Sequence, residues 1–214
     1  MIWFYWKAFI QLRRIRHYTK AADNESILRL TEYVNCINPD ILGNGQISAQ
    51  ERNKLIEWII QFADIPGPIV EIGTSLGFSA QALCEGVIRS GKPKTVYTVD
   101  NYGWNPVGMP SFRHKMHTDL NLTFASSLTD LVIVDSTGEK FYQTFDQRPS
   151  IAFIDADHSY ASVKKDLEYF KQVGTPVIIG HDYNFPDVAK AVQEVLGDQH
   201  LTVFGGTLFL YEAH

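Results

Sequence analysis

From residue 68 onward the chain repeats one pattern, a short run rich in Val, Ile and Phe followed by a stretch with helical spacing. The runs are PIVEIG (68–73), TVYTVD (95–100), LVIVDS (131–136), SIAFIDAD (150–157) and PVIIGHD (176–182). Their cores are apolar at almost every position, as in parallel strands covered on both faces. Between them, 76–90 and 159–173 read as helices, and Tyr160, Val163, Leu167 and Phe170 share a face of the second. A helix at 186–197 precedes LTVFG and TLFLYEA, which Gly205 and Gly206 join. So close a coupling predicts a hairpin whose last strand runs antiparallel. The fold class is α/β: a doubly wound, mostly parallel seven-stranded Rossmann-like sheet with an antiparallel C-terminal hairpin strand.

Upstream, SAQE (48–51) matches a capping box, with Ser48 at the N-cap and Glu51 three residues on. Leu55, Ile59 and Phe62 then form one apolar face, and Pro66-Gly67 ends the helix. Residues 24–37 read as a helix and PDILGNGQ (39–46) as a loop. The expected division is a helical, aromatic and basic extension over 1–45 and one domain over 46–214. A chain of 214 residues, 45% hydrophobic, suffices for one sizeable core. A net charge of −5 counts against a nucleic-acid partner, which needs a basic face. Cys36 and Cys84 lie far apart and read as small apolar residues in helices, so a reducing, cytoplasmic setting is expected.

The first twenty residues place Trp3, Phe4, Tyr5, Trp6 and Phe9 before Arg13, Arg14, Arg16, His17 and Lys20. Charge follows the apolar stretch and no small-residue cleavage site appears, which excludes a signal peptide. The segment is too short and too basic to span a bilayer. It reads as a helix packed on its own domain or on a second subunit of a homo-oligomer. Contact with a membrane surface and disorder are the alternatives.

Each candidate parallel strand ends in acid: Glu71, Asp100, Asp135, Asp155 with Asp157, and Asp182. Ligands of such sheets bind at the carboxyl ends of the strands, so this rim suits a ligand with hydroxyls to bind or positive charge to balance. The first turn, EIGTSLGFS, has Gly73 and Gly77 but Ser75 where a dinucleotide fingerprint needs its middle glycine. Glu71 would also repel phosphate. A nucleoside that lacks phosphate and carries a cation fits both features, and Asp100 suits a ribose diol.

On VEIGTSLGFSA, VYTVDNYGW, IDADHSYASVKKDL and IIGHDY, in that order, the chain resembles class I S-adenosylmethionine-dependent methyltransferases. More narrowly it resembles the macrocin-type sugar O-methyltransferases, over about residues 66–200. The resemblance implies S-adenosylmethionine as cofactor. Glu71, Gly73, Ser75 and Gly77 would lie along its methionine, Asp100 would hold the ribose, Asp135 with Ser136 would approach the adenine, and Asp155 is counted with them. A helix cap before TGEKF is the other reading of Asp135. The implied acceptor is a small molecule, a sugar or other alcohol.

A sulfonium methyl is already electrophilic, so the enzyme must align the acceptor and remove a hydroxyl proton. A positioned base or a metal does the latter. His158 and Asp155 are the expected catalytic residues, with His158 as the base. Asp155 and Asp182 form a carboxylate pair suited to Mg²⁺. Catechol-type relatives place Asn directly after the second Asp; here Tyr183 follows and the amide is Asn184, which leaves the third ligand open between Asn184 and Asp157. His181 reads as turned away from the site.

The long segment 101–130 reads as a lid or substrate wall. Trp104 would stack on a ring, and Arg113 or His114 would meet an acid group. Alternatively, Phe112 and Met116 begin an amphipathic helix. Two rival functions remain: a nicotinamide-dependent oxidoreductase, against which the missing glycine counts, and a non-catalytic binding module with the same fold.

Overall fold

A computed structural model of the protein describes residues 47–104 and 110–213. The division between compact units falls between Gln46 and Ile47. The aromatic-basic start, the helix expected at 24–37, the loop at 39–46 and Cys36 therefore lie outside the described residues.

Helix α1 (Ala49–Gln61) starts at the expected capping box. Ser48 Oγ accepts from the Glu51 N–H at 3.2 Å, and Glu51 Oε2 accepts from the Ser48 N–H at 2.8 Å. Then follow β1 (Ile69–Ile72), α2 (Phe78–Ser90), β2 (Val96–Asp100), α3 (Ser111–Leu122), β3 (Leu131–Asp135) and α4 (Gly138–Thr144). The chain continues through β4 (Ile151–Ile154), α5 (Tyr160–Gln172), β5 (Val177–Gly180), α6 (Pro186–Leu196), β6 (Leu201–Phe204) and β7 (Leu208–Glu212).

The seven strands form one sheet in the order β3-β2-β1-β4-β5-β7-β6. The first five are mutually parallel, while β7 runs antiparallel to both β5 and β6. The expected fold class is borne out. The chain winds outward from β1 to β3 and returns to β4, so the strand order reverses between β1 and β4, where such sheets bind ligands.

Each strand is shorter than its apolar run. Gly73, Asp155 to Asp157 and His181-Asp182 leave the ladder and become the loops of the carboxyl rim. Strands β1, β4 and β5 are buried throughout. Strand β3 departs from the expectation of two covered faces. It is the edge strand, and its side chains are half-buried or exposed.

Two apolar layers flank the sheet. Leu55 and Ile59 of α1 and Leu83 of α2 cover Phe153 and Ile179 on one face. Leu167 and Phe170 of α5 and Val192 of α6 cover Val70, Ile154 and Ile178 on the other. Cys84 is buried within α2. Among the described residues no helix is long and apolar enough to cross a membrane.

Candidate active site

Strand β1 leaves the sheet at Gly73, with φ +100°; a Cβ there would stand 2.0 Å from the Asp155 carbonyl oxygen. Only glycine permits the ends of β1 and β4 to lie so close. Gly77, with φ +86°, opens α2 against α3, where its Cβ would meet Leu122 Cγ at 2.8 Å.

Between the two glycines, Ser75 holds φ +44°. Its N–H donates to Asp100 Oδ2 at 2.7 Å, and its carbonyl accepts from the Thr118 hydroxyl. Tyr102, at φ +54°, donates its N–H to Asp100 Oδ1 at 2.6 Å. A carboxylate offers about four acceptor sites, so two backbone donors orient Asp100 and leave capacity for a diol. Asp182, after β5, is also left-handed at φ +57°. Left-handed non-glycine residues cost on the order of 1–3 kcal/mol each and gather at ligand sites; here three strand ends carry one.

Glu71 lies beneath the turn, wholly buried. Its Oε2 accepts from the Thr98 hydroxyl, and Thr98 Oγ1 lies 2.6 Å from Thr74 Oγ1. Its Oε1 has no hydrogen-bond partner. Burial drives its pKa up to about 8, helped by the charges of Asp155 and Asp100 and opposed by the Ser79 and Thr98 hydroxyls. Asp135 ends β3 in register with Asp100 and is exposed. The N–H of Ser136 donates to the Asp100 carbonyl at 3.0 Å. Helix α4 is capped by Thr137, not Asp135, so the cap reading of Asp135 falls.

FIDADHSY and IIGHDY meet at the ends of β4 and β5. Asp155, His158 and Asp182 each offer one ligand atom, and these atoms lie within 4.8 Å of one another. His158 Nε2 stands 2.9 Å from Asp182 Oδ2, and its ring centroid is 5.0 Å from that of Phe185. The Asp182 bond raises the His158 pKa against partial burial. Burial would raise Asp182 too, but bonds from His158 and His181 outweigh it and hold the carboxyl well below its usual range. Burial raises Asp155, and His181 offsets part of the rise.

His181 is not turned away. Its Nδ1 lies 3.4 Å from Asp182 Oδ1 and 3.6 Å from Asp155 Oδ1, while its Nε2 lies 3.0 Å from Glu51 Oε1. Burial would lower its pKa, but the two aspartates outweigh burial and lift it to about 11. Glu51 Oε1 also accepts from the Thr207 hydroxyl. Despite burial, the bonds from Ser48, Thr207 and His181 hold Glu51 down to about 2. Asp157 Oδ1 accepts from the Ser159 N–H at 2.9 Å at the start of α5, and Asn184 is exposed in the turn after Asp182.

Segment 101–130 contains α3, which buries His114, Thr118 and Leu122, one helical turn apart. The face expected from Phe112 and Met116 is not the buried one: Phe112 is 68% exposed. Trp104 is also exposed. His114 packs edge-on against Tyr102 at 5.5 Å and reaches Ser75 Oγ at 3.4 Å, so it buttresses the glycine turn.

A family model described as a methyltransferase domain matches residues 70–183, more than half of the chain and the whole rim from β1 to Asp182. The chain belongs to the methyltransferase-domain family. This methyltransferase superposes on cofactor-bound Rv0187 from MTB with a TM-score of 0.60 at 17% identity, over 93% of this chain and 94% of that one. An O-methyltransferase from Bacillus cereus in complex with SAH gives 0.58 at 16%, over 92% and 96%. The TDP-rhamnose 3′-O-methyltransferase CalS11 of calicheamicin biosynthesis gives 0.56 at 18%, over 95% and 93%. At such identities these likenesses speak for the fold. No curated protein sequence matches the chain. The resemblance to class I S-adenosylmethionine-dependent methyltransferases is borne out, and the oxidoreductase alternative is set aside.

Proposed function

We propose that this methyltransferase moves the methyl group of S-adenosylmethionine to a hydroxyl of a small-molecule acceptor, with a divalent cation assisting. The observation that carries this reading is the convergence of Asp155, His158 and Asp182 beside the glycine turn. The residues fit both groups. Asp100 is oriented with acceptor capacity to spare, the Glu71 oxygen without a partner lies beneath the turn, and the carboxylates of Asp155 and Asp182 offer oxygens within 4.8 Å of each other.

Glu71, Gly73, Ser75 and Gly77 would line the methionine moiety. Asp100 would accept from the ribose hydroxyls, and Asp135 and Ser136 would flank the adenine. Bound there, the cofactor supplies a methyl on a positively charged sulfur. Asp155 and Asp182 would hold the cation, which supplies a lowered hydroxyl pKa. The resemblance implies Mg²⁺, with Asn184 or Asp157 as the further oxygen ligand. His158 presents Nε2 to Asp182, which orients the ring and leaves Nδ1 to take the acceptor proton. Asp182 favours the imidazolium so formed. Asp155 serves both the cation and the acceptor.

Supporting this reading, the structurally similar CalS11 is a TDP-rhamnose 3′-O-methyltransferase, whose acceptor is a sugar hydroxyl. The experiment is a screen of sugar and catechol alcohols for methyl transfer, with and without EDTA. Methylated product that EDTA abolishes is expected. Turnover untouched by EDTA would remove the cation from the mechanism.

A further inference from the structure

Behind the carboxylate pair stands a second layer that neither the capping box nor the family match, which begins at residue 70, accounts for. Glu51 reaches from α1 to His181 Nε2 at 3.0 Å, and the Thr207 hydroxyl holds the same carboxylate oxygen. The other ring nitrogen, Nδ1, faces Asp182 Oδ1 and Asp155 Oδ1. With Nε2–H donating to Glu51, Nδ1 is the ring atom that faces both aspartates; in the metal-free site a proton on Nδ1 meets their charge, and a bound cation would take that proton's place.

We propose that Glu51 and His181 form a carboxylate–imidazole arm of the site: Glu51 fixes the His181 tautomer, and Nδ1 joins Asp155 and Asp182 in holding a first-row divalent cation that accepts nitrogen, of the class of Mn²⁺, Co²⁺ or Zn²⁺. This rests on the reading that Asp155 and Asp182 hold a cation. Three arguments carry it.

First, the spacing is close to what coordination needs. Ligand atoms bound at about 2.1 Å stand roughly 3.0–3.4 Å apart in octahedral or tetrahedral coordination; the Nδ1 distances of 3.4 and 3.6 Å lie at the upper end and just beyond it, so a bound ion would draw Asp155 slightly inward. Second, metal-bound imidazoles regularly donate their other N–H to a carboxylate, which sets the tautomer and ring orientation. Third, His181 is better placed for this than His158. The His181 side chain is 8% exposed and held from behind, whereas that of His158 is 42% exposed and its Nε2 meets the other oxygen of Asp182. His158 thus keeps its place as base. Mg²⁺ prefers oxygen, and imidazole shifts preference toward transition ions.

The experiment uses the full chain. Calorimetric titrations with MgCl2, MnCl2 and CoCl2 run beside a titration with S-adenosylmethionine. Pulsed electron paramagnetic resonance of the Mn²⁺-loaded protein reads whether an imidazole nitrogen is bonded to the ion. Expected are tighter binding of Mn²⁺ and Co²⁺ than of Mg²⁺ and a nitrogen signal in the unmodified protein. His181→Gln should remove the signal while His158→Gln keeps it. Glu51→Gln should weaken Co²⁺ binding about 10–100-fold, the range for outer partners of metal ligands. A wild-type protein without nitrogen coupling, or with Mg²⁺ bound as tightly as Co²⁺, would overturn the arm, even if the variants fail to fold. So would loss of the signal in His158→Gln with retention in His181→Gln. If no cation binds while S-adenosylmethionine does, the cation reading falls and the methyltransferase reading stands.

Discussion

Asp182 is asked to do three things at once. It adopts a left-handed backbone, accepts from His158 at one oxygen, and faces His181 with the other. Its negative charge favours the protonated form of His158, so that imidazole should titrate above the usual 6.5. NMR of the metal-free protein should show this, and Asp182→Asn should move the His158 titration to lower pH. An unshifted midpoint in the variant would contradict the pairing. Turnover of His158→Ala should fall about 10²–10⁴-fold, the range for one positioned base; full activity would make the histidine structural.

Glu71 gives a second residue-scale prediction. Its folded pKa of about 8 lies above its ordinary 4.5, so between these values the folded state holds a proton that the unfolded state releases. Stability without cofactor should therefore fall as pH rises through that window. One pKa unit is about 1.4 kcal/mol, so the contribution is several kcal/mol. Denaturant midpoints at pH 5 and pH 8 should differ more for the wild type than for Glu71→Gln. Equal pH dependence in the two proteins would show that Glu71 ionises freely.

At the scale of elements, α1 carries Glu51 to the site, and its seat depends on Gly86 of α2. A Cβ at Gly86 would stand 2.5 Å from Ile59 Cβ. Gly86→Val should lower stability by about 1–3 kcal/mol, as overpacking does, and weaken cation binding as Glu51 shifts. Thermal melts and Co²⁺ titration test both. Most elements were legible because apolar runs record burial: β1, β4 and β5 are covered on both faces and read as such. The same rule misjudged β3, since an edge strand keeps Val and Ile for β-propensity without burial on both faces. Helix α3 misled for the opposite reason. It buries His114 and Thr118 against the glycine turn, and its prominent Phe112 points to solvent. The rim acids were readable from position alone. The Glu51–His181 contact was not, because it joins residues 130 apart that local pattern assigns to a helix cap and a strand end.

For the whole molecule, every residue placed at the site lies among the described residues. Deleting 1–20 should leave S-adenosylmethionine affinity unchanged. An altered oligomeric mass would mark the segment as an assembly element. Flotation of the full chain alone with anionic liposomes would mark it as a surface anchor. Lost cofactor affinity would contradict the division. The central claim is that the rim from Glu71 to Asp182 holds S-adenosylmethionine, with Asp100 on its ribose. Calorimetric titration of the wild type and of Asp100→Ala tests it most directly. S-adenosylmethionine and its demethylated product should bind and NAD should not. The variant should lose about 1.5–3 kcal/mol, as expected for charge-assisted hydrogen bonds, or roughly 10–150-fold in affinity. NAD binding without response to either adenosyl ligand, or unchanged affinity in Asp100→Ala, would contradict it.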